Sequence, residues 1–279
     1  MDEYVDLHMH STCSDGTFTP EVVVRRAAEL GLVAIGLTDH DSVEGVSTAE
    51  AVGREVGVDV VPGTELSAQV DEKDIHILAY FIDPEDPELA NCLTQFREDR
   101  LRRAEKMVRK LNQMGIQVRM EQVLAKAEGA AIGRPHVADV MVEEGFVFSA
   151  NEAFYKYIGY AKPAYQPKFS ISPADAIEVI HTAGGLACLA HPLLYRRDSI
   201  IPDLVDQGLD GIEVMHIKHG PEEVQRYTDI ADRYGLLKTG GSDCHGDGRG
   251  ESVMGRVAVP RAFVDTLQAA HQEKARSKG

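Results

Sequence analysis

Two histidines stand two residues apart near the start of the chain, in Val5-Asp6-Leu7-His8-Met9-His10. On a β-strand, residues i and i+2 project from one face, so the pair offers two imidazoles side by side. Paired imidazoles are ligands for a transition-metal ion. Asp15 follows in a Ser/Thr/Gly loop, within reach of the same spot. The chain has 11 histidines, so one such pair carries little weight alone. The weight comes from where other ligand types stand. His40 follows the apolar run Leu32–Leu37, Glu65 follows Val58–Val61, His76 falls within Ile75–Tyr80 and His191 follows Leu186–Ala190. Asp243-Cys244-His245 repeats the i, i+2 spacing at the far end of the chain. A carboxylate such as Glu65 can bridge two ions, which imidazole cannot. So many ligands exceed what one ion takes, and two or three divalent ions are expected. Imidazole and carboxylate together suit manganese, zinc or iron.

These residues need strands that end on one rim. The short apolar runs have the near-continuous hydrophobicity of strands buried on both faces. Between them lie helical stretches with ordinary start signals: Thr19-Pro20-Glu21 reads as a cap, a proline at the first position and an acid in the first turn. Ser172-Pro173-Ala174-Asp175 reads as a capping box. Strand–helix alternation predicts a parallel α/β fold, in which chemistry gathers beyond the strand ends. The rhythm breaks after Pro87. One long charged helix to Gly115 is expected there, then shorter helices over Met120–Glu128, Arg134–Glu144 and Asn151–Ile158. We read residues 99–162 as a helical insertion, a lid over the active site, within a barrel formed by 1–98 and 163–279. The cluster Arg97, Arg100, Arg102, Arg103 reads as a solvated helix face. His181 and His271 read as helix-surface residues, and His216 and His219 lie near a rim.

The balance of 29 basic and 45 acidic residues leaves −16, which argues against gripping long duplex nucleic acid by a basic surface. It leaves room for a small anionic substrate held by metals and a few local cations. The start lacks the basic and apolar regions of a signal peptide, and no apolar run is long enough to span a bilayer. Cys13, Cys92, Cys188 and Cys244 show no C-x-x-C spacing, so a reduced, cytoplasmic protein is the expectation. No obligate protein partner is evident.

The segments Asp6-Leu7-His8-Met9-His10-Ser11, Leu37-Thr38-Asp39-His40-Asp41, Gly63-Thr64-Glu65, His76, Leu189-Ala190-His191-Pro192 and Gly241-Ser242-Asp243-Cys244-His245 occur in an order that resembles the PHP (polymerase and histidinol phosphatase) family, within the wider amidohydrolase-like group. The resemblance covers nearly the whole chain. It implies a distorted (β/α)7 barrel with a two- or three-metal centre, manganese being the first expectation. Residue by residue it implies one ion held by His8, His10, Glu65 and Asp243. A second would share Glu65 and take His76 and His191. A third would take Asp15, His40 and His245, although many relatives have His in place of Asp15.

Ile132-Gly133-Arg134-Pro135-His136-Val137-Ala138 and Lys162-Pro163-Ala164-Tyr165 resemble a subgroup of 3′,5′-nucleoside bisphosphate phosphatases and exoribonucleases acting 5′–3′ on short RNA. The expected reaction is hydrolysis of a phosphate ester, with a small phosphorylated nucleotide or short oligoribonucleotide as substrate. Asp243 or Asp15 could take the proton of the attacking water, and His191 could assist the leaving oxygen. Arg134 is the expected anchor for a second phosphate, because a guanidinium forks two bonds to phosphate oxygens. His136, Lys168 and Arg197 could help it. The rival readings are a phosphatase for another small monoester such as histidinol phosphate, a hydrolase of C–N bonds, and a non-catalytic metal-binding scaffold. The full set of competent side chains argues against the last.

Overall fold

The computed structural model describes residues 3–127, 132–247 and 251–278. The chain forms two compact units, Met1–Cys92 with Ser170–Gly279, and Leu93–Phe169. The strands are β1 (Tyr4–Met9), β2 (Ala34–Leu37), β3 (Asp59–Val70), β4 (Lys73–Tyr80), β5 (Leu186–Leu189), β6 (Gly211–His216), β7 (Leu237–Gly241) and the short β8 (Val259–Pro260). The helices are α1 (Pro20–Glu29), α2 (Val46–Val56), α3 (Pro87–Gln113), α4 (Met120–Ala127), α5 (Arg134–Glu143), α6 (Ala150–Ala153), α7 (Pro173–Thr182), α8 (Ile201–Asp206), α9 (Pro221–Tyr234) and α10 (Arg261–Lys278). Glu128, expected to end α4, lies outside the described residues, as do Met1 and Asp2.

All the strands form one sheet in the order β7-β6-β5-β4-β3-β2-β1-β8. Its ends curl towards each other into a near-closed barrel. The seam is a parallel bridge between Met9 and Cys244, with the His10 amide donating to the Cys244 carbonyl at 2.9 Å. Buried Asp6 on β1 stitches the same seam, accepting from the Ser242 amide at 2.8 Å. Gly241 allows this approach: a Cβ there would stand 2.4 Å from the His8 backbone nitrogen. Across the barrel, the Tyr80 hydroxyl donates to the Leu7 carbonyl at 3.0 Å and accepts from the Thr239 hydroxyl at 2.9 Å, so β1, β4 and β7 share one buried bond chain.

The barrel is mixed rather than all-parallel. β4 runs antiparallel to both β3 and β5. The sequence rhythm hides this reversal, because the β3–β4 turn is only Asp71-Glu72. Both have positive φ, 49° and 61°, which is the twist that a two-residue hairpin requires. A connection that short cannot carry a crossover helix. The reversal matters for the site. His76 comes early in β4, so it reaches the rim where the parallel strands finish.

Apolar faces close the barrel wall. Val23, Val24 and Ala27 of α1 and Ala49 and Val52 of α2 pack with Ile35 and Leu37 of β2. Val264 and Leu267 of α10 pack with Val5, Leu7 and Val259. The expected caps form: the Thr19 hydroxyl accepts from the Val22 amide, and Ser172 and Asp175 cap α7 reciprocally.

The helical unit has its own core, with Met107 and Leu111 of α3, Val123 of α4, Val137 and Met141 of α5, and Ile158. Its limits lie outside the expected 99–162. Phe96 and Phe169 pair edge-to-face at 5.2 Å, and Asp99 accepts from the Phe169 amide at 2.9 Å, so both flanks belong to the unit. The last helix is also not regular. α6 opens into a π turn over Phe154–Ile158, closed by Gly159 N–H donating to the Phe154 carbonyl at 2.9 Å. Among the described residues, no helix is long and apolar enough to cross a membrane.

Candidate metal centre

The rim collects its side chains from six strands. His8 and His10 come from β1 and the residue just beyond it, His40 from beyond β2, Glu65 from β3, and His76 from β4. His191 follows β5, and Asp243 and His245 follow β7. Asp15 belongs to the loop after β1. That loop is held by Asp39, which accepts from the Ser11 amide at 2.7 Å, the Ser11 hydroxyl at 2.6 Å and the Ser14 hydroxyl at 2.5 Å.

Glu65 is the hub and is fully buried. Its Oε1 lies 2.9 Å from His76 Nδ1 and 2.9 Å from His191 Nε2. Its Oε2 lies 3.0 Å from His40 Nδ1 and 3.3 Å from Nε2 of both His8 and His10. Asp243 Oδ1 sits 3.2 Å from His10 Nε2 and 3.5 Å from His8 Nε2. On the outer side, Asp15 Oδ1 is 3.0 Å from His245 Nε2 and 3.9 Å from His40 Nε2. His10 and His245 stack with ring centroids 4.1 Å apart.

Four groups of ligand atoms converge closely enough to hold a metal ion: His10, Asp15, His40 and His245; His8, His10 and Asp243; His8, Glu65 and His191; and His40, Glu65 and His76. The nine side chains picked from the sequence are the members of these groups. The partition differs from the one the resemblance implied, since His76 and His191 fall in separate groups and His10 belongs to two. Neither Cys13 nor Cys244 is a member among the described residues.

The donor set fits divalent cations for a further reason. Nε2 of His8, both ring nitrogens of His10 and Nδ1 of His191 are buried without a hydrogen bond of proper geometry. Each such orphaned polar atom costs on the order of 1–3 kcal/mol. Nε2 of His8 and Nε2 of His10 both face Glu65 and Asp243, where a bound cation would satisfy them. The four groups share His8, His10, His40 and Glu65, so they overlap as a di- or tri-metal centre would.

Comparison with known proteins agrees with this chemistry. A model described as the PHP domain matches residues 6–119. The chain is 35% identical over 259 residues to a 3′,5′-nucleoside bisphosphate phosphatase of Chromobacterium violaceum, covering 91% of each sequence. The chain belongs to the PHP family. This PHP protein is also 33% identical over 250 residues to a 5′-3′ exoribonuclease of Haemophilus influenzae, covering 88% of this chain and 91% of that one. A crystal structure from Bifidobacterium adolescentis superimposes with a TM-score of 0.85 at 33% identity, covering 96% of both chains. The protein is a metal-dependent phosphoesterase, and the clusters on its rim are of the PHP type.

Electrostatics prepare this PHP centre for cations. Burial would raise the Glu65 carboxyl, but His40, His76 and His8 outweigh it and hold Glu65 well below the usual carboxylate range. Burial likewise opposes ionisation of Asp243 and Asp15. His8 and His10 beside Asp243, and His245 and His40 beside Asp15, win and keep both acids ionised. Burial, with His40 and His245 alongside, pushes His10 down to about 3, leaving the neutral imidazole that a metal takes. Burial also disfavours charge on His40, yet Glu65 and then Asp15 pull it up to about 9.

One buried acid beside the rim escaped the sequence reading. Glu213, on β6, is fully buried; its Oε1 lies 3.0 Å from His8 Nδ1 and its Oε2 accepts from the His191 amide at 2.7 Å. His191 has φ 25°, an uncommon left-handed value directly before a proline, and the Glu213 bond helps to hold it there. An acid inside the apolar run Gly211-Ile212-Glu213-Val214 was the available signal. His216 is buried, with Nε2 3.5 Å from Asp243 Oδ2. His181 faces Asp210 at 2.7 Å rather than standing free on its helix.

The expected substrate cations fall in both units. Arg134 opens α5 in the helical unit, with its guanidinium 5.6 Å from the Phe154 ring and 6.0 Å from the Tyr165 ring. His136 Nδ1 accepts from the Gly133 amide at 3.0 Å, capping the same helix. Lys168 lies near the end of that unit. Arg197 belongs to the barrel unit, where it donates to Asp71 at 2.6 Å and to the Val70 carbonyl at 3.3 Å, bracing the β3–β4 hairpin.

Proposed function

We propose that the protein removes the 3′-phosphate from 3′,5′-nucleoside bisphosphates and also attacks short oligoribonucleotides from the 5′ end. The observation that carries this reading is the rim of nine convergent candidate ligands. The names of the Chromobacterium and Haemophilus relatives point the same way. His8, His10, Glu65 and Asp243, with His76 and His191, would hold two ions, and Asp15, His40 and His245 a third. Manganese is the first expectation, with zinc or iron as alternatives. When bound, such ions supply activated water near neutral pH and positive charge against the phosphoryl oxygens.

The chain's own groups then have definite tasks. Asp243 Oδ1 and Asp15 Oδ1, both kept ionised, are the two candidate acceptors for the water's proton. His191 is the candidate proton donor to the departing oxygen. Arg134 forks onto the second phosphate, with His136 and Lys168 as supporting groups; Arg197, already bound to the hairpin, would have to release Asp71 to join them. The four free cysteines suit the reducing cytoplasm.

Phosphate release from adenosine 3′,5′-bisphosphate, histidinol phosphate and a short RNA, each with manganese present, tests the reading. The bisphosphate should be the preferred small substrate. A preference for histidinol phosphate would replace this reading with the rival monoesterase, and metal binding without turnover of any ester would leave only a scaffold.

A further inference from the structure

The helical unit differs from the rest of the chain in charge. Leu93–Phe169 contains 13 Lys and Arg against 9 Asp and Glu, a net of +4, in a chain whose total is −16. The barrel unit therefore carries −20. A cationic segment on an acidic protein concentrates attraction for a polyanion in one place.

The same unit exposes aromatic rings. Tyr155 and Tyr160 are 74% and 75% exposed, although large rings normally bury most of their area. They are not loose. Lys162 Nζ stands 4.8 Å from the centre of the Tyr155 ring, and Tyr160 packs edge-on against Tyr165 at 5.4 Å. The backbone beneath them departs from a regular α-helix. Tyr155 lies in the π turn, a rare form often found at working sites. Gly159 closes the turn, and a Cβ there would come within 2.3 Å of the Phe154 carbonyl oxygen. Around Tyr165, Arg103 donates to the Gln166 carbonyl at 2.9 Å and Lys110 to the Tyr165 carbonyl at 3.1 Å. Burial, with Arg134 and Arg100 nearby, lowers Arg103 to about 10.

Exposed rings interleaved with cations form the surface on which single-stranded nucleic acid stacks, because every base has a π face and every linkage a phosphate. We propose that the helical unit holds single-stranded RNA by stacking bases on Tyr155 and Tyr160, with Lys162 taking a backbone phosphate. The inference builds on the nucleotide reading above and adds a surface of the helical unit on which bases stack.

The test uses the full chain, treated with a chelator so that no ester is cleaved, and a pentamer of adenosines with 2-aminopurine at its centre. Binding should quench the 2-aminopurine fluorescence. The double variant Tyr155→Ala/Tyr160→Ala should bind the pentamer about tenfold more weakly or worse, the scale expected for losing base–ring stacking. Tyr155→Phe/Tyr160→Phe should restore it. An abasic pentamer should bind wild type and the alanine variant alike, and the KM for adenosine 3′,5′-bisphosphate should not move. Equal pentamer affinity in wild type and alanine variant would overturn the proposal, as would equal losses for the abasic strand. So would rings that serve a second copy of the chain, seen as a concentration-dependent dimer in sedimentation that the alanine variant abolishes without any pentamer binding. Stacking of the pentamer with no phosphate released from any nucleotide after manganese is restored would sink the proposed reaction and leave this site standing.

Discussion

His8 Nδ1 lies 3.0 Å from Glu213 Oε1, and neither side chain is exposed to solvent. This contact turns the other nitrogen of His8, Nε2, towards Glu65 and Asp243. A carboxylate behind a ligating imidazole fixes its tautomer and strengthens it as a donor. Glu213 does this for His8 while also holding the backbone of His191. Glu213→Gln keeps the volume but removes the charge and one acceptor. It should weaken metal binding about 10–100-fold, as loss of such supports generally does. Competition with a chelator measures this, and unchanged affinity in a folded variant would reduce Glu213 to a structural residue.

Metal loading should release protons. His40 is pulled up to about 9 by Glu65 and Asp15 and so is protonated at neutral pH in the metal-free centre. A metal ion needs the neutral ring, so it must displace that proton. Affinity should therefore tighten as pH rises from about 6 towards 9, then level off. Titration calorimetry at about pH 7, in buffers of different ionisation enthalpy, should show net proton release. Affinity independent of pH across that range would mean that His40 stays outside the coordination sphere.

Most of the side chains that converge on the rim were legible in the sequence because they stand at or just beyond a short apolar run that meets a histidine or an acid. That pattern survives without knowledge of the neighbours. Glu213 was not readable in the same way. It sits inside a strand, and its role depends on β6 lying close enough to β1 to reach His8, which only the closed barrel brings about. The direction of β4 was hidden too. Asp71-Glu72 lacks the Asn-Gly or Asp-Gly signal of a tight hairpin, so tertiary pairing sets the positive φ values that local preference does not announce. Likewise, the extent of the helical unit depends on Phe96 meeting Phe169, a contact across 73 residues of sequence that periodicity cannot register.

Arg134→Ala separates phosphate recognition from chemistry. A charge-assisted bond of this type is worth on the order of 1.5–3 kcal/mol, or about 10–100-fold in an equilibrium constant. If Arg134 binds the second phosphate, KM for adenosine 3′,5′-bisphosphate should rise by that factor. Turnover of a minimal ester such as p-nitrophenyl phosphate, which has no second phosphate, should stay near wild type. Steady-state kinetics on both substrates decides it, and a bisphosphate KM unmoved by the substitution removes Arg134 from the substrate site.

Away from the rim, Asp210 offers a stability test whose sign follows from its surroundings. Its Oδ2 accepts from the Ala187 amide at 2.8 Å and faces His181 Nε2 at 2.7 Å, while Lys274 Nζ reaches Oδ1 at 3.0 Å. One carboxylate thereby ties α7, β5 and α10. Burial would raise its pKa, but His181, the Ala187 amide and Lys274 prevail and lower it. The unfolded chain, with an ordinary aspartate near about 3.9, then binds more protons in acid than the folded one does. The contribution is complete above about pH 4 and is lost as pH falls through the lower folded value. Asp210→Asn should cost on the order of 1–3 kcal/mol at neutral pH, the scale for hydrogen bonds to a charged group. The gap between variant and wild type should narrow in acid, because protonation removes from the wild type the charge that the substitution has already removed. Urea melts at about pH 7 and about pH 3 provide both numbers. A gap of the same size at both would mean that the substitution acts through packing, and that the Asp210 charge contributes nothing to holding these elements together.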